Sequence, residues 1–301
     1  MKTSVASIIA AAVALGGRAS ADDRTASDDP VVVEVSRSAA LWHQACPVPE
    51  IDGVCEKLDV RSPSSRPRSR CSVAPRVRGV MVARDPRKVR GARAALQRAI
   101  DAFEHRDGQP TGDEAAALHA YAVARTLAAD RDFEAFLALE LPANLTFDPD
   151  GAKQRSAQRV RAWIVRKVDS GRAVARQLEG IVALRDEAAV AAAARIAQIH
   201  QAIVDALLGA DSTAEARRSA PALEAFCDAM AATAEPFEQR AVDGFAACLA
   251  RSDELGVFTD RSRLCERELS LLRPEQYPLL QEHHADPGQA APLMIVEPPT
   301  P

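Results

Sequence analysis

The sequence predicts an all-α protein, built of antiparallel helical hairpins that form an α-solenoid or a bundle. Apolar residues recur at three- and four-residue spacing from Val89 to Leu272, the signature of helices with one buried face. Ala, Leu, Arg and Glu dominate, and only 14 glycines in 301 residues leave few places for the chain to break. No sustained alternation of Val, Ile and Thr marks a sheet; the one strand-like run is Val31-Val32-Val33-Glu34-Val35.

The first 21 residues read as a secretory signal. Lys2 supplies the positive charge, Val5 to Leu15 is apolar apart from Ser7, and Ala19-Ser20-Ala21 is an Ala-x-Ala cleavage site. That apolar run is too short to span a bilayer, which takes about 20 residues, and no later stretch is long enough. The expectation is a periplasmic or secreted protein without a transmembrane segment, able to associate peripherally with the envelope.

Residues 22–84 read as a loose Cys-, Pro- and Arg-rich segment, with Pro63, Pro67 and Pro75 in a linker. A helical domain follows over residues 85–280. Asp85 can cap its first helix and Pro86 suits the first helical position. Val89, Ala92, Leu96, Ala99, Ile100 and Phe103 then share a face. After Gly108, Pro110 and Gly112, a second helix is expected from Asp113 to Leu127, and a shorter one after Asp130 ending at Pro142. Residues 142–149 read as a loop. A long helix spans residues 150–184, with Val160, Ile164, Val168, Val174, Leu178 and Ile181 along one side. Arg185-Asp186 turns into a helix bearing Val190, Ile199, Ile203 and Leu207, which stops near Gly209. A helix with Phe226, Cys227 and Met230 comes next, and Pro236 is expected to open another through Leu255. The last helix runs from Asp260 to Leu272, and residues 281–301 read as a disordered tail.

The formal charge is −4, or −6 once Lys2 and Arg18 leave with the signal. Against this, Arg61 to Arg93 holds eleven Lys or Arg and one acid, Asp85. Such a run reads as a solvated linker, or as a contact with an anionic polymer or an acidic face of the same protein. Export argues against nucleic acid as the partner.

Six cysteines in an exported chain permit disulfides. They fall into Cys46, Cys55 and Cys71 near the start and Cys227, Cys248 and Cys265 near the end. Two groups of three cannot each pair completely, so one bridge joins the groups or one thiol in each stays free. Cys248 and Cys265 are equidistant from a turn near Gly256, so an antiparallel hairpin would bring them level. Cys46 with Cys55 is the natural pair at the other end.

There is no phosphate loop, no G-x-S-x-G and no H-E-x-x-H, and the sequence implies no catalytic residue, cofactor or metal. His200 reads as a histidine on an apolar helix face. His283-His284 is a weak metal candidate in the tail. Tyr121, Phe147 and Trp163 are candidates for an interaction surface, with the core as their ordinary alternative.

Three stretches carry a family resemblance: residues 133–147, residues 194–200, and the block from Phe226-Cys227-Asp228-Ala229-Met230 through Leu264-Cys265-Glu266-Arg267-Glu268-Leu269. Together they resemble the helical, tetratricopeptide-type cell-envelope proteins of myxobacteria, some of them linked to gliding motility. The resemblance covers roughly residues 85–280. It implies a non-catalytic periplasmic or outer-membrane-associated scaffold that binds other proteins. The repeat is degenerate. Ala124, Leu127 and Phe133 fall at repeat-like positions, but Phe136 stands where a small residue packs, and no 34-residue period recurs. A ligand-sensing or structural bundle is the alternative; an enzyme assembled from distant residues is a third.

Overall fold

The computed structural model describes residues 29–45, 56–57, 71, 80–81, 86–106, 114–143, 145, 152–210, 212 and 218–278. Cys46, Cys55 and Phe147, residues 1–28, most of the Arg-rich segment and residues 279–301 lie outside them. The described part is all-α: α1 (Pro30–Ala45), α2 (Pro86–Glu104), α3 (Glu114–Leu137), α4 (Ala152–Val182), α5 (Ala188–Leu208), α6 (Ala220–Leu255) and α7 (Asp260–Leu272). A two-residue antiparallel ladder joins β1 (Glu56–Lys57) to β2 (Val80–Met81).

The valine run is helix, not strand. Asp29 caps it, its carboxylate accepting from Val31 N at 2.9 Å, and Pro30 opens α1. Val31 and Val35, one helical turn apart, are buried against α2 and α3. Packing therefore overrides the strand propensity of β-branched residues. Residues 30–45 of the segment read as loose are thus ordered helix.

Two expected breaks are absent. The helix does not stop before Asp130; α3 runs unbroken through it, because its carboxylate meets Arg195 Nε of α5 at 2.8 Å instead of capping a new helix. Nor does Pro236 start a helix. It lies inside the 36-residue α6, on the exposed side. Phe226 and Met230 before it and Val242 and Phe245 after it are buried on the other side, which offsets the lost backbone hydrogen bond.

Each helix packs on its neighbours in sequence. In addition α1 meets α3, α3 meets α5 and α5 meets α7. The odd helices thus form a continuous row, while α2, α4 and α6 do not pack on one another to a comparable extent. The core has three lobes along this row: α1–α2–α3, then α3–α4–α5 with the first half of α6, then α5 with the second half of α6 and α7. α3 and α5 each contribute to two lobes. α5 has no exposed residue between Ala188 and Leu208; even Arg195, His200 and Asp205 are partly covered by its neighbours.

Two glycines mark close approaches. A Cβ on Gly244 of α6 would sit 2.9 Å from Ala197 Cβ and 3.0 Å from its Cα in α5. A Cβ on Gly171 of α4 would come within 2.6 Å of Ile199.

Candidate functional site

The best-defined feature facing solvent is the turn between α6 and α7. α6 ends at Gly256, which takes the left-handed conformation at φ 64° that favours glycine. Gly256 N donates to Asp253 O at 3.0 Å and Val257 N to Ser252 O at 3.1 Å, closing the helix end. α7 then starts in a capping box: Thr259 Oγ1 accepts from Arg261 N and Ser262 N, and Ser262 Oγ accepts from Thr259 N at 3.0 Å. Beneath the turn, buried Ser252 Oγ is hydrogen-bonded to Ser262 Oγ at 2.8 Å and donates to Val257 O.

A disulfide fastens the same hairpin. Cys248 and Cys265 are bonded, their Cα atoms 6.4 Å apart and their side chains fully buried against Val190 and Phe245. The bridge spans 17 residues, a closure worth about 3 kcal/mol in the chain-entropy model. A second bridge, Cys71–Cys227, joins the two cysteine groups across 156 residues, at a Cα separation of 5.2 Å.

This rigid turn displays Phe258, which is 63% exposed. Asp253, Glu254 and Asp260 surround it in sequence and are themselves exposed; Glu254 pairs with Arg251 at 2.6 Å and Asp260 with Arg263 at 3.8 Å. Helical spacing then puts Asp260, Arg263, Arg267 and Leu271 in one stripe on the outward side of α7, with Leu271 54% exposed, while Leu264 packs against the core. An exposed aromatic on a turn whose backbone is capped at both ends, rimmed by charge, is the chemistry of a protein-docking anchor.

The aromatic residues expected at an interaction surface are placed differently. Trp163 is core: it is 1% exposed, and its indole Nε1 donates to Leu139 O at 3.1 Å. Tyr121 is half-buried and knits α2 to α3. Its ring stacks on Phe103 at 4.2 Å, its hydroxyl donates to Glu104 Oε1 at 3.0 Å, and Arg125 Nη1 donates to it at 2.7 Å. Phe147 lies outside the described residues, as do Cys46, Cys55 and His283-His284.

Three polar groups are buried enough to examine for chemistry. His119 Nδ1 of α3 lies 2.9 Å from Asp186, whose other oxygen accepts from Ala188 N at 2.8 Å at the start of α5. Glu187 is 3.9 Å from His119 Nε2. Burial pushes the imidazole pKa down, but the hydrogen bond and charge of Asp186, with Glu187 behind it, raise it overall. This ion pair ties α3 to the α4–α5 turn. Lys167 of α4 reaches the end of α3, where Nζ donates to the carbonyls of Phe136 at 2.5 Å, Leu139 at 3.2 Å and Leu137 at 3.3 Å. Burial lowers its pKa to about 8. It neutralises the negative end of α3. His200 is half-buried, and burial followed by the charge of Arg240 lowers its pKa. Among the described residues no group of three or more His, Cys, Asp or Glu is placed to hold a metal.

No protein-family model, no curated protein and no solved structure matches this chain.

Proposed function

We propose that the protein is a helical scaffold of an oxidising compartment outside the cytoplasm, which binds another protein through the α6–α7 hairpin. The observation that carries this reading is Phe258, held exposed on a turn fixed by a disulfide, a left-handed glycine cap and a capping box. A turn whose backbone is already held loses less entropy on docking than a loose loop would. The bridges Cys71–Cys227 and Cys248–Cys265 support an oxidising compartment. The signal-like first 21 residues agree with it. The row of odd helices, flanked by even helices that pack less closely on one another, supports a short, degenerate solenoid of hairpins of the tetratricopeptide type. Envelope proteins are the partner class, as the resemblance to myxobacterial envelope proteins implies.

The test is crosslinking in intact cells, followed by capture of the full chain and of its Phe258→Ser variant. The reading expects a partner protein with the parent and its loss with the variant, at unchanged melting temperature. An identical set of captured proteins from both would refute the docking role.

One observation favours a second reading, a closed ligand-sensing or structural bundle: α5 has no exposed residue and is wrapped by α3, α4, α6 and α7. That reading expects a small molecule to raise the melting temperature with Phe258 dispensable.

A further inference from the structure

The two bridges differ in how far solvent reaches their sulfurs. Cys248 and Cys265 are each 0% exposed, inside the last core lobe. Cys248 Sγ lies 3.8 Å from Val190 O of α5 and 3.9 Å from Arg261 O of α7, so the backbone of two helices covers it. Cys71 and Cys227 are only partly buried and sit at the rim of the middle lobe. Cys71 lies in a turn outside any helix, and Cys227 in the first half of α6.

The residues around Cys227 show what holds α6 in place there. Phe226 and Met230 are fully buried, and Ala234 and Phe237 continue the same apolar side. Cys227 lies beside that side, with exposed Glu224 and Asp228 near it along the helix. Apolar burial therefore keeps α6 docked whether or not the bridge is closed. The bridge adds a constraint across α2 to α5 and is not itself a piece of the core.

Thiol–disulfide exchange requires a thiolate to reach one of the two sulfurs. A partly exposed bridge at the rim of a lobe allows that in the folded state. The buried bridge does not, because the α6–α7 hairpin must first open, and such openings carry a free-energy cost.

We propose that Cys71–Cys227 is a redox clasp, opened by low-molecular-weight thiols in the folded protein while Cys248–Cys265 stays closed. A thiolate attacks the sulfur of Cys71 or Cys227 and forms a mixed disulfide. The bond between the two cysteines breaks, and the other cysteine leaves as a thiolate that takes a proton from water. A second thiolate attacks the mixed disulfide and frees the remaining cysteine. Two small thiols are oxidised to one disulfide, and the protein bridge is reduced to two thiols. Opening frees Cys71 from α6 and lifts the closure over 156 residues, leaving the α6–α7 hairpin locked.

The test is graded reduction of the full chain by glutathione near neutral pH without denaturant, with alkylation by iodoacetamide and peptide mapping. Cys71 and Cys227 are expected to be alkylated at least about tenfold sooner than Cys248 and Cys265. The helical signal in circular dichroism should persist while the melting temperature falls. Oxidised glutathione should then restore the peptide that links Cys71 to Cys227. Cys71→Ser/Cys227→Ser should keep the helical signal and lose the response of the melting temperature to glutathione. The proposal is overturned if both bridges open together, if Cys248–Cys265 opens first, or if neither opens until denaturant is added. Loss of the helical signal, in the variant or as the bridge opens, would overturn it too, as would failure of the same link to re-form. Phe258→Ser should change none of these results, so the clasp and the docking role fail separately.

Discussion

Lys167 and His119 show how single side chains fasten one helix to the next. The Lys167 ammonium is held by three carbonyls and lies 4.1 Å from the centre of the Phe136 ring, which favours the charged form, while burial opposes it. Replacement by Met leaves the end of α3 without donors, and we expect it to cost about 1–3 kcal/mol. With a folded-state pKa of about 8 against an ordinary 10.5, the folded chain releases this proton before the unfolded chain does. The contribution of Lys167 to stability therefore grows as pH rises from about 8 towards 10. Melting of parent and Lys167→Met at about pH 7.5 and pH 9.5 should show a larger gap at the higher value.

His119 has the opposite sign. Asp186 and Glu187 raise its pKa, so its contribution is complete below the ordinary value and is lost as pH rises through the folded one. His119→Gln should destabilise by about 1–3 kcal/mol near pH 5 and by clearly less near pH 8, measured by denaturant titration. A gap that does not change with pH would show that the imidazole is not charged in the fold.

At the scale of elements, the α5–α6 contact depends on Gly244. Gly244→Ala forces the new methyl against the Ala197 backbone and should destabilise by about 1–3 kcal/mol. Gly180, exposed near the end of α4 with only an Arg125 guanidinium nitrogen 4.0 Å from its virtual Cβ, offers the contrast. Gly180→Ala should stabilise by about 0.5–1 kcal/mol through helix propensity alone. Denaturant midpoints of the two variants check both signs.

Helix α2 was legible because its face repeats cleanly after Asp85-Pro86. The same signal, Asp29-Pro30, stands before α1, but the three valines that follow suggest a strand when read by propensity. Their role is set by α2 and α3, which the local pattern does not contain. Asp130 and Pro236 misled for a related reason. Each is an ordinary helix boundary residue, and each is overruled by long-range contacts: Arg195 claims Asp130, and buried residues on both sides of Pro236 keep α6 whole. The Cys248–Cys265 pair was readable because both cysteines are equidistant from one turn. The partner of Cys71 was not, since it depends on how distant helices stack. Of the candidate docking turn, the sequence revealed the glycine and the cysteines. Phe258 is not legible as an anchor, because an aromatic between two helices gives no sign in sequence of which way it points.

For the whole molecule, three core lobes share α3 and α5, so damage in one lobe should be felt in its neighbour. The two bridges act over different spans. Closing 17 residues constrains one hairpin, whereas closing 156 constrains most of the fold and is worth about 5 kcal/mol in the chain-entropy model. Cys248→Ser/Cys265→Ser should therefore lower stability by about 3 kcal/mol. It should also weaken partner capture, because it loosens the turn that presents Phe258.

The central claim is an exported stack of helices locked by bridges that form outside the cytoplasm. Peptide mapping without reductant, on protein recovered from its native compartment, tests it most directly. The account predicts an N-terminus at Asp22, a peptide linking Cys71 to Cys227 and another linking Cys248 to Cys265. An intact Met1 terminus together with free thiols at those four positions would contradict it.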